Sequence, residues 1–506
     1  MTKLHRRALK AAVAVAFATS ALGFVGSASA QTLKVAATAL PPPKGNPYAA
    51  GIFPSWHTWT ALFDAMTVVD PQGNVQPQAA SAWQNVDSNT WRFTLRDDVV
   101  FDNGEKLDAG AVAAAITWLK SDAGKTTSVG RQVGGVVSAT AIDARTVEVK
   151  TAAPDAILPA RISAVLIVAP KAWADQGAEG YANAPVGSGS FKVESWTPEK
   201  VVFSGRKDSW RAPKVSGLEI LPLGERPARV QALISDQAHI AVGLSTDNIA
   251  TVEGGGHRVD VSPSTVAATM AFINTKDGLP FTDVRVRQAF NYAVDKQAIA
   301  DNLFAGRVKP ASQGATPNTF GYNTALAPYP HDPAKARALL AEAGYGNGMN
   351  VVAEVVVGSF AADSEMYQQV AQDLSNVGVT MELRPIPSAD WIKKFITGTW
   401  EGGMFGAGQN SAPINDASRF LTFGSCKKPN PYYCDESVVA LLEKSDTLFD
   451  PNERRAALGE LLKIQHDRAA NLFLIEQIDL VGVSRRVQGL VNLGNSFNYE
   501  EISLSN

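Results

Sequence analysis

Residues 401–420, EGGMFGAGQNSAPINDASRF, gather side chains that hydrogen-bond without carrying charge: Gln409, Asn410 and Asn415 lie between Glu401 and Asp416 with no acid in the interval. An amide both donates and accepts, so such a wall suits a ligand rich in hydroxyls or amides, with Asp416 available for one cation or two hydroxyls. The glycines of the stretch permit close backbone approach to a ligand. A second group, Trp56, His57 and Trp59 in FPSWHTWTALFD, offers rings that stack on a sugar or a planar amide. Trp59 shares helical spacing with Leu62 and Phe63 and reads as core, which leaves Trp56 and His57; His57 reads equally well as a hydrogen-bonded surface histidine.

Catalytic motifs are absent where they were sought. Gly124-Lys125-Thr126 lacks the upstream glycine of a phosphate loop, because Leu119 stands in its place inside a helical pattern. Gly406-Ala407-Gly408 begins a dinucleotide-like pattern, but Ser411 replaces the third glycine. The six histidines include no H-E-x-x-H pair, and VGSGSF has the wrong order for a nucleophile elbow. Paired carboxylates far apart in sequence stay open as a cleft pair, but nothing positive speaks for an enzyme, and no cofactor and no metal are expected.

The first thirty residues combine four cations, an apolar stretch too short to span a bilayer stably, and Ala28-Ser29-Ala30. They read as a secretory signal peptide cut after Ala30. Arg6-Arg7 leaves plain secretory and twin-arginine export both open. With those four cations set aside, 42 Lys and Arg face 49 Asp and Glu, a formal charge near −7 over residues 31–506. That balance argues against nucleic acid or an anionic membrane as partner. The length calls for two or three lobes. In an exported chain, Cys426 and Cys434 in CKKPNPYYC read as a structural disulfide rather than half of a metal site.

The elements that must carry these residues change along the chain. In TWRFTLRDDVVF, Trp91, Phe93 and Leu95 alternate with polar residues, the period of a half-buried strand; RTVEVKT, EKVVFSGR and VSGLEILPL read alike, with a helix at LDAGAVAAAITWLKSD. From about residue 282 helices and strands alternate. Val286, Phe290 and Val294 mark one helix face with Thr282 or Asp283 as cap; Asp332-Pro333 and Asp450-Pro451 open further helices. NVVAEVVVG, DSEMYQQVAQDLSNVG and VTMELRPI form a β-α-β unit, which favours a parallel pair.

Several stretches together resemble the extracytoplasmic solute-binding proteins of the peptide, opine and nickel class that feed ABC importers. FTDVRVRQAFNYAVDKQAIADNLFAGRVKPA is similar to that family's most recognisable segment, PVGSGSFKVESW with GRKDSWR to another, and GNVQPQAASAW through FDNGEKLDAGAV to a third. The resemblance implies an α/β clamshell of two lobes with mixed sheets flanked by helices. Lobe I would take residues 31–272, with an extra subdomain at about 75–185, and recover the chain at 478–506; lobe II would take 273–477. The crossings are expected near Phe272–Asn274 and Ile475–Asp479. A periplasmic monomer is implied, which holds a small peptide-like, opine-like or glycoside-like solute and passes it to membrane permease subunits. A metal-chelate binder of the same fold and an exported hydrolase are the competing readings.

Under the resemblance, MFGAGQNSAPIND is a lobe II strand and loop facing the cleft, so Phe405, Gln409, Asn410, Asn415 and Asp416 join Trp56, His57 and Asn274 as expected ligand contacts. Peptide-binding members place an aspartate where Gln409 stands, and dipeptide binders an arginine where VVGSFAAD has none. Both charge anchors are thus expected to be absent, and the ligand uncharged; whether Gln409 or Asp416 takes the anchor position stays open.

Overall fold

A computed structural model of the chain describes residues 31–49, 55–494 and 496–505. The expected signal peptide, residues 1–30, lies outside them. Two large hydrophobic cores organise the rest. One gathers Val35, Trp59, Phe93, Leu119 and Phe203 with Val483 and Tyr499 from the end of the chain. The other gathers Phe272, Phe290, Val351, Val370 and Leu474. Apolar positions at strand and helix periods supply both, and their fully buried aromatics include Trp59, Phe93, Phe272 and Phe290.

A mixed sheet links the two cores through two long antiparallel strands, Arg258–Phe272 and Asn471–Val483. On one side it continues through Met404–Asn410, Met349–Val355 and Val379–Pro385, and on the other through Ile240–Ala241, Thr32–Ala37 and Gly217–Pro222. Met349–Val355 and Val379–Pro385 run parallel around the helix Asp363–Ser375, the expected crossover. A separate four-stranded sheet, Ala80–Asp87, Thr90–Leu95, Thr146–Thr151 and Val136–Ala141, lies beside the helix Ala109–Lys120.

The linking strands change cores at an irregularity. Pro263 pairs with Ile478 and Ala267 with Glu476, so Ser264, Thr265 and Val266 stand opposite Gln477 alone. Ala268, Met270 and Phe272 beyond it pack into the second core, whereas Leu480, Val481 and Val483 pack on the first side. Ile478 touches clusters on both sides. Along this strand the side chains thus pass from the first side to the second core over Pro263–Ala267. Phe272 is 4.9 Å from Phe281 and 5.8 Å from Phe290, well inside the second core, because the apolar run of the strand continues past the changeover.

Candidate functional site

A cavity of about 450 Å³ opens at this irregularity. Its floor is the bulged segment Ser264–Val266 with Gln477, Asp479 and Leu480 of the opposing strand. Extra residues on one strand of a ladder bend it and re-aim its side chains, and here they leave a hollow between the two cores. His57 and Gln132 wall it from the side of the first core; Asn410, Pro413 and Arg419 wall it from the side of the second.

Arg419 reaches the wall from the helix Ala417–Phe423. That helix is capped by Asp416, whose carboxylate accepts from the Ser418 N–H at 2.9 Å and from its hydroxyl at 2.7 Å. Asp416 is in turn gripped by both terminal nitrogens of Arg454, at 2.5 and 2.9 Å, and both side chains are nearly fully buried. Burial would raise the Asp416 carboxyl, but the Arg454 charge and the hydrogen bonds from Ser418 outweigh it and hold the group below the usual carboxylate value. Arg419 itself donates to the Asn410 carbonyl at 2.5 Å and lies over the Phe423 ring. It has no carboxylate partner among the described residues. Burial lowers its pKa, the direction expected for a cation losing water without an anion in return.

Asp479 is the opposite case on the same wall. Burial pushes its carboxyl up to about 6, against a hydrogen bond from Ser264 that works downward. No cation pairs with it among the described residues. His57 is 4% exposed, and burial pushes its imidazole down to about 4, so the ring is neutral at pH 7. Its Nδ1 is buried and has no hydrogen-bond partner among the described residues, while its ring lies 4.9 Å from Phe497. The wall thus carries one cation, one acid and a neutral imidazole with a free nitrogen.

The eight expected contacts do not converge. His57 and Asn410 line this cavity. Trp56 and Asn415 line an adjoining hollow of about 170 Å³, which shares Pro413 with it. Gln409 is buried away from the cavity, where its amide donates to the Asn471 side-chain oxygen at 3.2 Å. Phe405 is fully buried and stacks on Trp400 at 3.8 Å. Asn274 is committed to the disulfide loop, donating to the Cys434 carbonyl and accepting from the Cys434 N–H. Asp416 is committed to Arg454. The glycines expected to admit a ligand admit protein instead: a Cβ on Gly406 would lie 2.6 Å from the Tyr367 hydroxyl, and one on Gly408 2.9 Å from Val266. Arg419 and Asp479 bring charge to the cavity from positions other than the two where anchors are expected to be missing. No local pattern singles them out, since in SRFLTF and in FLIEQIDLVGV each charge reads equally as a solvated residue.

Cys426 and Cys434 are bridged, with an S–S distance of 2.00 Å. They form with Glu436 a grouping of metal-ligand side chains, but the bridge leaves neither sulfur as a thiolate.

Comparison with known proteins agrees with this architecture. Residues 74–430 match the family described as bacterial extracellular solute-binding proteins, family 5 Middle. Heme-binding protein A of Haemophilus influenzae is 29% identical over 332 residues, covering 62% of this chain and 58% of that protein. Glutathione-binding protein GsiB of Escherichia coli is 27% identical over 307 residues, covering 59% of this chain and 58% of that protein. The aligned part is thus a little more than half of each relative's length. The structure of HbpA2 from Haemophilus parasuis superposes with a TM-score of 0.81 at 21% identity, covering 94% of this chain and 100% of that one.

Proposed function

The chain belongs to the bacterial extracellular solute-binding proteins of family 5, and from that membership we propose that it captures a small solute between two lobes and delivers it, chemically unchanged, to the permease of an ABC importer. The observation that carries this reading is the cavity at the linking strands, walled from both cores. Its volume lies within the range of roughly 300 to 1,000 Å³ common to small-molecule sites. A solute in that position touches both lobes, so it binds the closed arrangement better than an open one and shifts the population toward it. In this reading lobe I and lobe II meet at Pro263–Ala267 and at Glu476–Ile478, signal cleavage follows Ala30, and the mature protein works as a periplasmic monomer without a cofactor.

The wall also argues against the competing readings. A metal chelate of net negative charge would meet one arginine and one aspartate, which supply no net positive charge. A hydrolase would need an activated nucleophile, and Ser264 beside a carboxyl with a raised pKa lacks the base–orienter chain that activates a serine. The test is a binding titration of residues 31–506 followed by recovery of the bound compound. Saturable binding with the compound returned intact supports the receptor; a product accumulating on incubation contradicts it.

A further inference from the structure

A further hollow, of about 320 Å³, lies at the seam between the four-stranded sheet and the helices Ala417–Phe423 and Pro451–Asp467. It shares no lining residue with the solute cavity or with the hollow adjoining that cavity, so it stands or falls apart from the receptor reading. The sheet contributes Trp83 and Trp91 to its wall, and the helical side contributes Phe320, Leu448 and Phe449. Trp91 is buried, whereas Trp83, Phe320 and Phe449 are half-buried. A single half-buried ring is ordinary on a protein surface, but three gathered around one hollow make an apolar receptacle.

Direct contacts across the seam set the width of this hollow. The Ala156 N–H donates to the Asp446 carbonyl at 2.8 Å. The rings of Trp91 and Phe449 are 5.8 Å apart. A Cβ on Gly73 would lie 2.8 Å from both the Asn415 carbonyl oxygen and the Phe320 nitrogen, so the backbones meet there as closely as they can. Gly73 and Ala156 both belong to the wall, so the rims already touch and the space is not a gap that further approach would close. Polar groups of the wall are engaged as well. Arg454 and Asp416 hold each other, the Trp91 indole N–H donates to the Asp155 carbonyl at 2.9 Å, and the Asn74 amide donates to Asp70. A charged guest would give up water and find no counter-ion free to receive it. We propose that this seam is a second binding site, for a neutral aromatic compound of one or two fused rings, held by stacking and apolar burial rather than by hydrogen bonds. The volume stands at the low end of the roughly 300 to 1,000 Å³ of small-molecule sites, which suits a guest of that size.

The experiment is a calorimetric titration of residues 31–506 with indole and 1-naphthol, and with indole-5-carboxylate and 5-amidinoindole, which place a charge directly on the ring. Saturable binding of one neutral ring per chain is expected, with both charged compounds at least about tenfold weaker. Trp83→Ala, which removes a half-buried ring, should weaken indole about tenfold. Val75→Phe places a larger side chain in the hollow that Val75 lines and should abolish binding. Circular dichroism and melting curves of both variants separate a lost site from a lost fold. Indole binding that survives Val75→Phe in a folded protein places the ring elsewhere and overturns the site. Equal affinity for neutral and charged rings overturns the ligand class, and the absence of saturable binding by either neutral ring overturns the proposal.

Discussion

Removal of the Arg454 guanidinium is the perturbation whose size follows most directly from the structure. Arg454 and Asp416 are 4% and 3% exposed, joined by two hydrogen bonds, and the arginine also donates to the Ser445 carbonyl at 3.0 Å. Arg454→Ala leaves a buried carboxylate facing no cation, a change of about 3 to 5 kcal/mol. For an unfolding unit of 150 to 250 residues this lowers Tm by roughly 6 to 20 °C. Adding Asp416→Asn removes the stranded charge yet keeps a side-chain oxygen to cap the helix, so the double variant should be more stable than the sum of the single losses predicts. The sign of the pH dependence is fixed as well. Because the folded-state pKa of Asp416 is depressed, its contribution is present above the unfolded value near 3.9 and is lost as pH falls through the lower folded value. Urea unfolding of wild type and Arg454→Ala at pH 7 and at pH 3 measures both effects. The gap should be wide at pH 7 and narrower at pH 3; a loss below about 1 kcal/mol at pH 7, the range of exposed pairs, would refute the assignment of Asp416 to a buried structural pair.

Three further outcomes are expected. Cys426→Ser opens a loop whose cysteines are eight residues apart, which in the chain-entropy model removes roughly 2 to 3 kcal/mol, read as a lower melting temperature that reductant also produces in the wild type. Lys394→Met strands Glu354, which is fully buried and held by Lys394 at 2.5 Å and by the Glu401 N–H at 2.8 Å; a loss of about 3 to 5 kcal/mol is expected in urea unfolding. Burial raises the folded-state pKa of Asp479 to about 6, so its ionisation opposes folding and stability falls as pH rises from about 4 to 6. Asp479→Asn should therefore raise the melting temperature of the unliganded protein at pH 7.5, with the difference closing toward pH 4.

Much of the scaffold was legible because local rules acted alone. Asp332 and Asp450 cap the helices they were expected to open, and Asp283 rather than Thr282 caps the third, each side chain accepting a first-turn N–H. Val286 and Phe290 are fully buried on the helix Val284–Ala293, as their spacing required, whereas Val294, equally buried, stands in extended conformation just past its end, where the expected single helix breaks before Lys296–Phe304. Arg287, in the most recognisable segment, is buried and donates to the carbonyls of Phe281 and Arg468, tying that helix to the end of the helix Pro451–Asp467. The site was less legible because it depends on pairings far apart in sequence. Nothing local marks Asp416 as the partner of Arg454, 38 residues away, or tells that Gln409 turns toward Asn471. The irregularity that creates the cavity is a register relation between two strands, and neither strand states it alone. Arg419 and Asp479 became visible only when both strands and the capped helix were in place.

The central claim is that a solute held at the linking strands stabilises closure of the two lobes. Spin labels on Val137→Cys and Ile396→Cys, replacing residues 56% and 63% exposed on the two lobes, would report the distance between them by pulsed electron resonance, with the native disulfide left intact. Saturation with the compound that binds in the titration should collapse the distribution onto one short distance. A distribution that is the same with and without bound solute would contradict the account.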